Sequence, residues 1–192
     1  ALELASRLVD HDVPTLVVTN DPLEEREAIS RGLLSYTGRL DSEDLELALD
    51  SVGIARVLAV SRLPVLNSMA IVRAVESVGR ANVYHLPTDE EIGSGSAHLA
   101  VIARRPFDPH ATQSIVEKRH VSGARIEAFD AMTYRPELVE GALPLLEIDA
   151  DGDPSILSST PTRGPEPDTV RVYLRDELAE GTQAGSGGSS AP

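Results

Sequence analysis

Val13-Pro14-Thr15-Leu16-Val17-Val18-Thr19-Asn20-Asp21-Pro22 reads as a buried strand that ends at a polar corner and turns directly into a helix. The apolar run over 13–18 is the strand. Asn20 or Asp21 supplies a capping side chain, and Pro22 suits the first helical turn, where its missing N–H costs nothing. That helix runs over 23–31 and stops at Gly32. Before the strand, Leu2, Leu4, Ala5, Leu8 and Val9 share one helical face, so a helix is already under way at the first residue. After it, strands over 33–36, 56–60 and 82–86 alternate with helices over 43–51 and 65–78. Asp41 and Ser42 can cap the first of these helices, and Gly53 and Gly79 end the two. The alternation predicts an α/β fold built on a parallel sheet.

The character of the chain changes at Thr88. Thr-Asp-Glu-Glu-Ile-Gly-Ser-Gly-Ser-Ala over 88–97 is acidic and then Gly/Ser-rich, and it predicts a hinge, with a linker at 91–97. A strand over 99–103, a helix over 111–121 and strands over 124–129, 143–148, 155–158 and 169–174 follow, so residues 98–177 form a smaller α+β module. Residues 178–192 are small and polar without periodicity, which predicts a disordered tail.

Composition narrows the function. The 192 residues carry 17 basic and 31 acidic side chains, a net charge of -14 that repels nucleic-acid phosphates. Cysteine is absent, which removes disulfides, thiolate zinc sites and a cysteine nucleophile. Lys118 is the only lysine and follows no glycine-rich loop, so phosphate-loop NTPase chemistry is excluded. No apolar run approaches the roughly 18 residues needed to span a bilayer, which predicts a soluble polypeptide.

Local motifs are sparse. Gly93-Ser94-Gly95-Ser96 has no strand directly before it and reads as linker, not as a phosphate-binding turn. Asp149-Ala150-Asp151-Gly152-Asp153 alternates carboxylates as calcium loops do, but Pro154 and Thr160 stand where such a loop needs glycine and glutamate. A hairpin turn is expected there. The five histidines show no metal-ligand spacing, and no nucleophile elbow occurs. No metal site and no catalytic residues are predicted.

Several strings taken together resemble the nucleotide-binding regulatory (RCK, or TrkA N-terminal) domain of potassium channels and transporters. They are Val17 to Pro22, Tyr36-Thr37-Gly38-Arg39-Leu40-Asp41, Gly53-Ile54-Ala55-Arg56-Val57-Leu58-Ala59-Val60 and Asn67. Gly79 to Leu86, Arg104-Arg105-Pro106-Phe107, Ser122-Gly123-Ala124-Arg125, Ala142-Leu143-Pro144-Leu145 and Pro167-Asp168-Thr169-Val170 look like the cytosolic C-terminal region of bacterial sodium/proton antiporters. The resemblance implies a Rossmann-like parallel sheet lacking its first strand over residues 1–90, then the α+β module.

The resemblance also implies a function: a cytosolic regulatory and assembly domain of a monovalent cation:proton antiporter, not an enzyme. The implied setting is the cytoplasmic face of the inner membrane, with a second copy and the membrane-embedded antiporter domain of the same polypeptide as partners and no nucleic acid. Its ligand class is NAD or an adenine nucleotide. Three departures predict that such a ligand binds weakly or not at all: the glycine-rich first turn is missing, Thr19 stands at the ribose-binding acid, and Arg39 reverses a family Asp. Arg39 can pair with Asp21 or Asp41, or contact a phosphate. Residual binding is expected at Asp21, Arg39, Leu40, Ser61 and Arg62, at the carboxyl ends of the strands. Alternative readings are a fragment of an NAD(P)-dependent oxidoreductase and a soluble regulatory subunit of a potassium uptake system.

Overall fold

The computed structural model describes residues 1–93 and 102–176. In chain order the elements are α1 (Leu2–Asp10), β1 (Leu16–Thr19), α2 (Pro22–Ser30), β2 (Leu34–Thr37), α3 (Glu43–Val52), β3 (Val57–Ala59), α4 (Pro64–Val78), β4 (Val83–His85) and α5 (Asp89–Gly93). There follow α6 (Gln113–Val121), β5 (Arg125–Asp130), β6 (Leu143–Ile148), β7 (Pro154–Ile156) and β8 (Val170–Arg175). Of the linker expected over 91–97, residues 91–93 are instead the end of α5, because Thr88 and Glu91 cap that helix reciprocally. Residues 94–97, most of the strand expected over 99–103 and the tail over 178–192 lie outside the described residues.

The chain is a mixed α/β fold with three small sheets among the described residues. β1 pairs with β2 in parallel, Val17 opposite Ser35, and β3 pairs with β4 in parallel, Leu58 opposite Tyr84. The third sheet is antiparallel, in the order β5-β8-β6-β7. Its β6–β7 hairpin closes on the expected acidic turn. There Asp149 Oδ1 accepts from the amides of Asp151 (3.0 Å) and Asp153 (2.9 Å), so its carboxylate serves the turn.

Local chemistry sets the element ends. Asp21 Oδ1 accepts from Leu23 N (2.8 Å) to start α2, and Pro22 follows at once. Of the two residues able to cap α3, Ser42 does so, accepting from Leu45 N (3.3 Å). Gly53 ends the helix in the left-handed region (φ 71°), which a side chain would strain.

Three apolar clusters hold the elements together. Ile71 and Ala74 of α4 close over Ala59 of β3 and Val83 of β4, with Ala103 beside them. Ala5 of α1, Ala28 of α2 and Leu33 form a second cluster, which Leu2 and Val17 join. The largest draws on both sides of the boundary expected near residue 90. Val13, Leu86, Phe107, Leu145, Leu146, Val172 and Leu174 are among its buried members, and Leu4, Leu8, Leu58 and Val60 pack against it. Burying one such aliphatic side chain contributes about 1.5–3 kcal/mol.

Polar contacts reinforce the same junction. Glu3 Oε1 accepts from Ile126 N (2.8 Å) and Arg7 Nε donates to Ile126 O (2.9 Å), so α1 grips β5 by its main chain. Arg56, just before β3, donates to both carboxylate oxygens of Asp153 in the hairpin turn.

Candidate functional site

The carboxyl ends of β1 to β4 gather the polar residues that a ligand would meet in an open α/β sheet. Thr19 closes β1, is buried, and donates from Oγ1 to Glu24 Oε2 (2.6 Å) while accepting from Asp21 N (3.1 Å). Asp21 is occupied as the cap of α2. Beyond β2, Arg39 pairs with Asp41 of the same loop and not with Asp21. Its Nε and Nη2 reach Asp41 Oδ1 (2.9 Å) and Oδ2 (2.7 Å). That hydrogen-bonded guanidinium holds the Asp41 carboxyl below the usual carboxylate range. Leu40 lies half-buried between them. Gly38 is needed beside them: a Cβ there would stand 2.6 Å from the Tyr36 hydroxyl, which is fixed by a 2.5 Å hydrogen bond with Ser42 Oγ.

Past β3 the main chain is clamped. Asn67, only 1 % exposed on α4, accepts from Ser61 N through Oδ1 (2.8 Å) and donates to Ser61 O through Nδ2 (2.7 Å). Gln113 at the start of α6 donates from Nε2 to the same Ser61 carbonyl (2.5 Å) and to Leu86 O (3.3 Å). Ser61 Oγ accepts from Leu63 N (3.2 Å), and Arg62 is paired with Glu117 of α6. Ser61 and Arg62 thus share one hub with α6. No hydrogen bond or ion pair among the described residues joins them to Asp21 or Arg39.

Behind this hub lies a buried acid–base pair that the sequence pattern did not point to. His85 ends β4 and its Nε2 stands 3.4 Å from Glu91 Oε2 on α5. Glu91 Oε2 also accepts from Thr88 N (2.7 Å) and Thr88 Oγ1 (3.1 Å). The capping box Thr88-x-x-Glu91 is the signal that places Glu91 here. Burial pushes the His85 imidazole down from its ordinary value, the Glu91 carboxylate pulls it up, and Arg105 pushes it down again. Next to it, Asp89 accepts hydrogen bonds from Ser114 and Thr112, which hold its carboxyl low.

A pH dependence follows. The unfolded chain takes up a proton on His85 near the ordinary histidine value while the folded chain resists it. Stability is therefore full above that value and is lost as pH falls through it, at no more than about 1.4 kcal/mol per pH unit for one proton. Urea titrations at pH 7.5 and 5.5 should show the loss, and His85→Gln should remove that part of it.

Chemically the hub offers backbone clamps and paired charges. No described serine has a histidine within hydrogen-bond reach, and no group of three or more potential metal-binding His, Asp or Glu side chains occurs among the described residues. A cavity of about 260 Å³ lies elsewhere, at the amino end of β1, between Val9, Val13, Thr15, Gly32 and Leu34. No helix among the described residues is long and apolar enough to cross a membrane. No protein-family model, curated protein or solved structure matches the chain.

Proposed function

We propose that the chain is a regulatory and assembly domain of a monovalent cation:proton antiporter, held at the cytoplasmic face of the membrane by the transport domain of the same polypeptide. In this reading residues 1–90 form a Rossmann-like domain whose parallel sheet lacks its first strand, and residues 98–177 form the smaller α+β module. The domain assembles and senses; it does not catalyse. Two parallel strand pairs, with α3 carrying the chain from one to the other, support the doubly wound part of the reading. The engagement of Asp21, Arg39, Ser61 and Arg62 in local bonds supports a degenerate nucleotide site, because a phosphate would have to displace Asp41 or Glu117 first.

The observation that carries the assembly role is an apolar stripe on α4. Val65, Met69 and Val72 recur at i, i+4 and i+7 and are 70 %, 42 % and 50 % exposed. The stripe continues into exposed Leu63 and is flanked by Arg73, which pairs with Glu46 and Glu76. A face of this kind, carrying both signs of charge, suits a two-fold contact with its own copy.

Light scattering well above micromolar concentration should give twice the 20.5 kDa chain mass. Met69→Glu should return it to the monomer with its circular dichroism intact. A monomeric parent chain would remove the assembly reading. Calorimetry with NAD, NADH, ATP, ADP and AMP should show no binding at micromolar concentration; tight binding of any of them would contradict the degenerate site.

A further inference from the structure

We infer that the cavity at the amino end of β1 is a binding site for a small organic cation, an ammonium on a short aliphatic stem, with Asp12 as its counter-ion. The site lies at the opposite end of the strands from Asp21 and Arg39 and shares no residue with the α4 stripe, so it stands independently of the assembly reading.

Two corners of the chain meet at this cavity. In the first, α1 passes to β1 through Asp12, Val13 and Pro14; in the second, α2 passes to β2 through Gly32. Both corners hold a residue in the left-handed region, Asp12 at φ 60° and Gly32 at φ 72°. Glycine takes that conformation with no side chain to crowd it, whereas an aspartate does so at a steric cost. No contact among the described residues offsets that cost. Asp12 is exposed, its main-chain N–H donates to Val9 O (3.0 Å), and its carboxylate makes no hydrogen bond or ion pair there. The fold has no use for this carboxylate, and a ligand of opposite charge does.

The surroundings are negative and apolar together. Helices α1 and α2 both end at the cavity, so the partially negative ends of two helix dipoles add to the charge of Asp12. The neighbouring cations are engaged, Arg7 with Asp10 (3.3 Å) and Arg31 with Glu27 (2.5 Å). Thr15 Oγ1 donates to Val13 O (2.9 Å) and keeps its lone pairs for an incoming N–H. Val9, Val13, Pro14 and Leu34 form the apolar part of the wall, and Val9 and Leu34 are 41 % and 60 % exposed. An aliphatic stem would cover them.

These features select the occupant. An anion meets a carboxylate and two negative helix ends. A bare metal ion finds one carboxylate where it needs several oxygen ligands. At about 260 Å³ the space falls just below the range of drug-sized pockets, about 300–1,000 Å³, so the ligand is small.

Amide chemical shifts of the full chain, titrated at neutral pH with hexylammonium, hexanol, hexanoate and ammonium chloride, test this. Hexylammonium should shift Val9, Val13, Thr15, Gly32 and Leu34 along one saturating curve. The other three should bind at least about tenfold more weakly, because each lacks the positive charge or the stem. Asp12→Asn and Asp12→Gly both suit the left-handed backbone, so they should keep the circular dichroism of the parent while weakening hexylammonium by about tenfold. Added salt should weaken it too. Equal binding of hexanol would overturn the cationic assignment, equal binding of ammonium would overturn the stem, and full binding by both Asp12 variants would overturn the counter-ion. Shifts gathered on Val65, Met69 and Val72 in place of the cavity residues, or no saturable shift with hexylammonium at millimolar concentration, would overturn the site.

Discussion

Asn67→Ala should lower the unfolding free energy by about 2–4 kcal/mol, read from urea titration as a shifted midpoint with an unchanged slope. The side chain is buried and satisfies both polar groups of the Ser61 main chain. Alanine leaves the Ser61 N–H without its acceptor, whereas the Ser61 carbonyl keeps Gln113. The unmatched donor carries most of the cost. Asn67→Asp separates this account from simple loss of volume. A carboxylate can accept from Ser61 N but places a negative oxygen against Ser61 O in a site with almost no water, so burial raises its folded-state pKa. The protonated acid can donate as the amide does. The Asp variant should therefore be nearly as stable as the parent at acid pH and lose stability as pH rises through that raised value, while the Ala variant stays low at both ends.

Arg171→Ala should lower the unfolding free energy by about 2–4 kcal/mol and the melting temperature by about 10 °C. Arg171 is 6 % exposed in the middle of β8, directly across from Glu147 on β6. Its Nε donates to Glu147 Oε2 (2.9 Å) and its Nη1 to Arg163 O (2.6 Å). Truncation leaves the half-buried Glu147 carboxylate and the Arg163 carbonyl without their donor. Glu147 retains partial contact with water, which keeps the cost below that of a fully enclosed pair. Removing both charges should reverse much of the loss: Arg171→Met with Glu147→Gln should melt above Arg171→Ala, because no unpaired charge remains. Thermal unfolding of the two variants and the parent decides it.

Sequence signals find most of the elements because each helix carries its own punctuation. Asp21-Pro22, Ser42 with Gly53, and Pro64 with Gly79 place α2, α3 and α4 within about one residue. Strand partners are a different matter. That β8 lies between β5 and β6, or that β1 pairs with β2 and β3 with β4, depends on contacts between residues far apart in the chain, and no local pattern carries them. The same holds for the core, which crosses the acidic segment because α1 is needed to cover the antiparallel sheet.

The candidate site divides the same way. Asp21, Arg39, Ser61 and Arg62 are visible as residue types at strand ends, yet their partners are set by geometry: a helix amide, Asp41, Asn67 and Glu117. Gln113, which ties α6 to Ser61 and Leu86, sits in no motif at all.

The grip of α1 on Ile126 also bears on how the antiparallel sheet resists the addition of foreign strands. β5 is an outer strand of the antiparallel sheet, and outer strands template the addition of foreign strands. At Ile126 the outward N–H and C=O are already taken by Glu3 and Arg7, so two side chains of a helix occupy the positions an incoming backbone would need. At the opposite margin β7 is three residues long and begins with Pro154, which has no N–H to offer. Growth is hindered at both margins by different means, and the obstruction at Ile126 of β5 depends on α1 remaining docked. Any event that lifts α1 uncovers a ready seed for strand-by-strand aggregation.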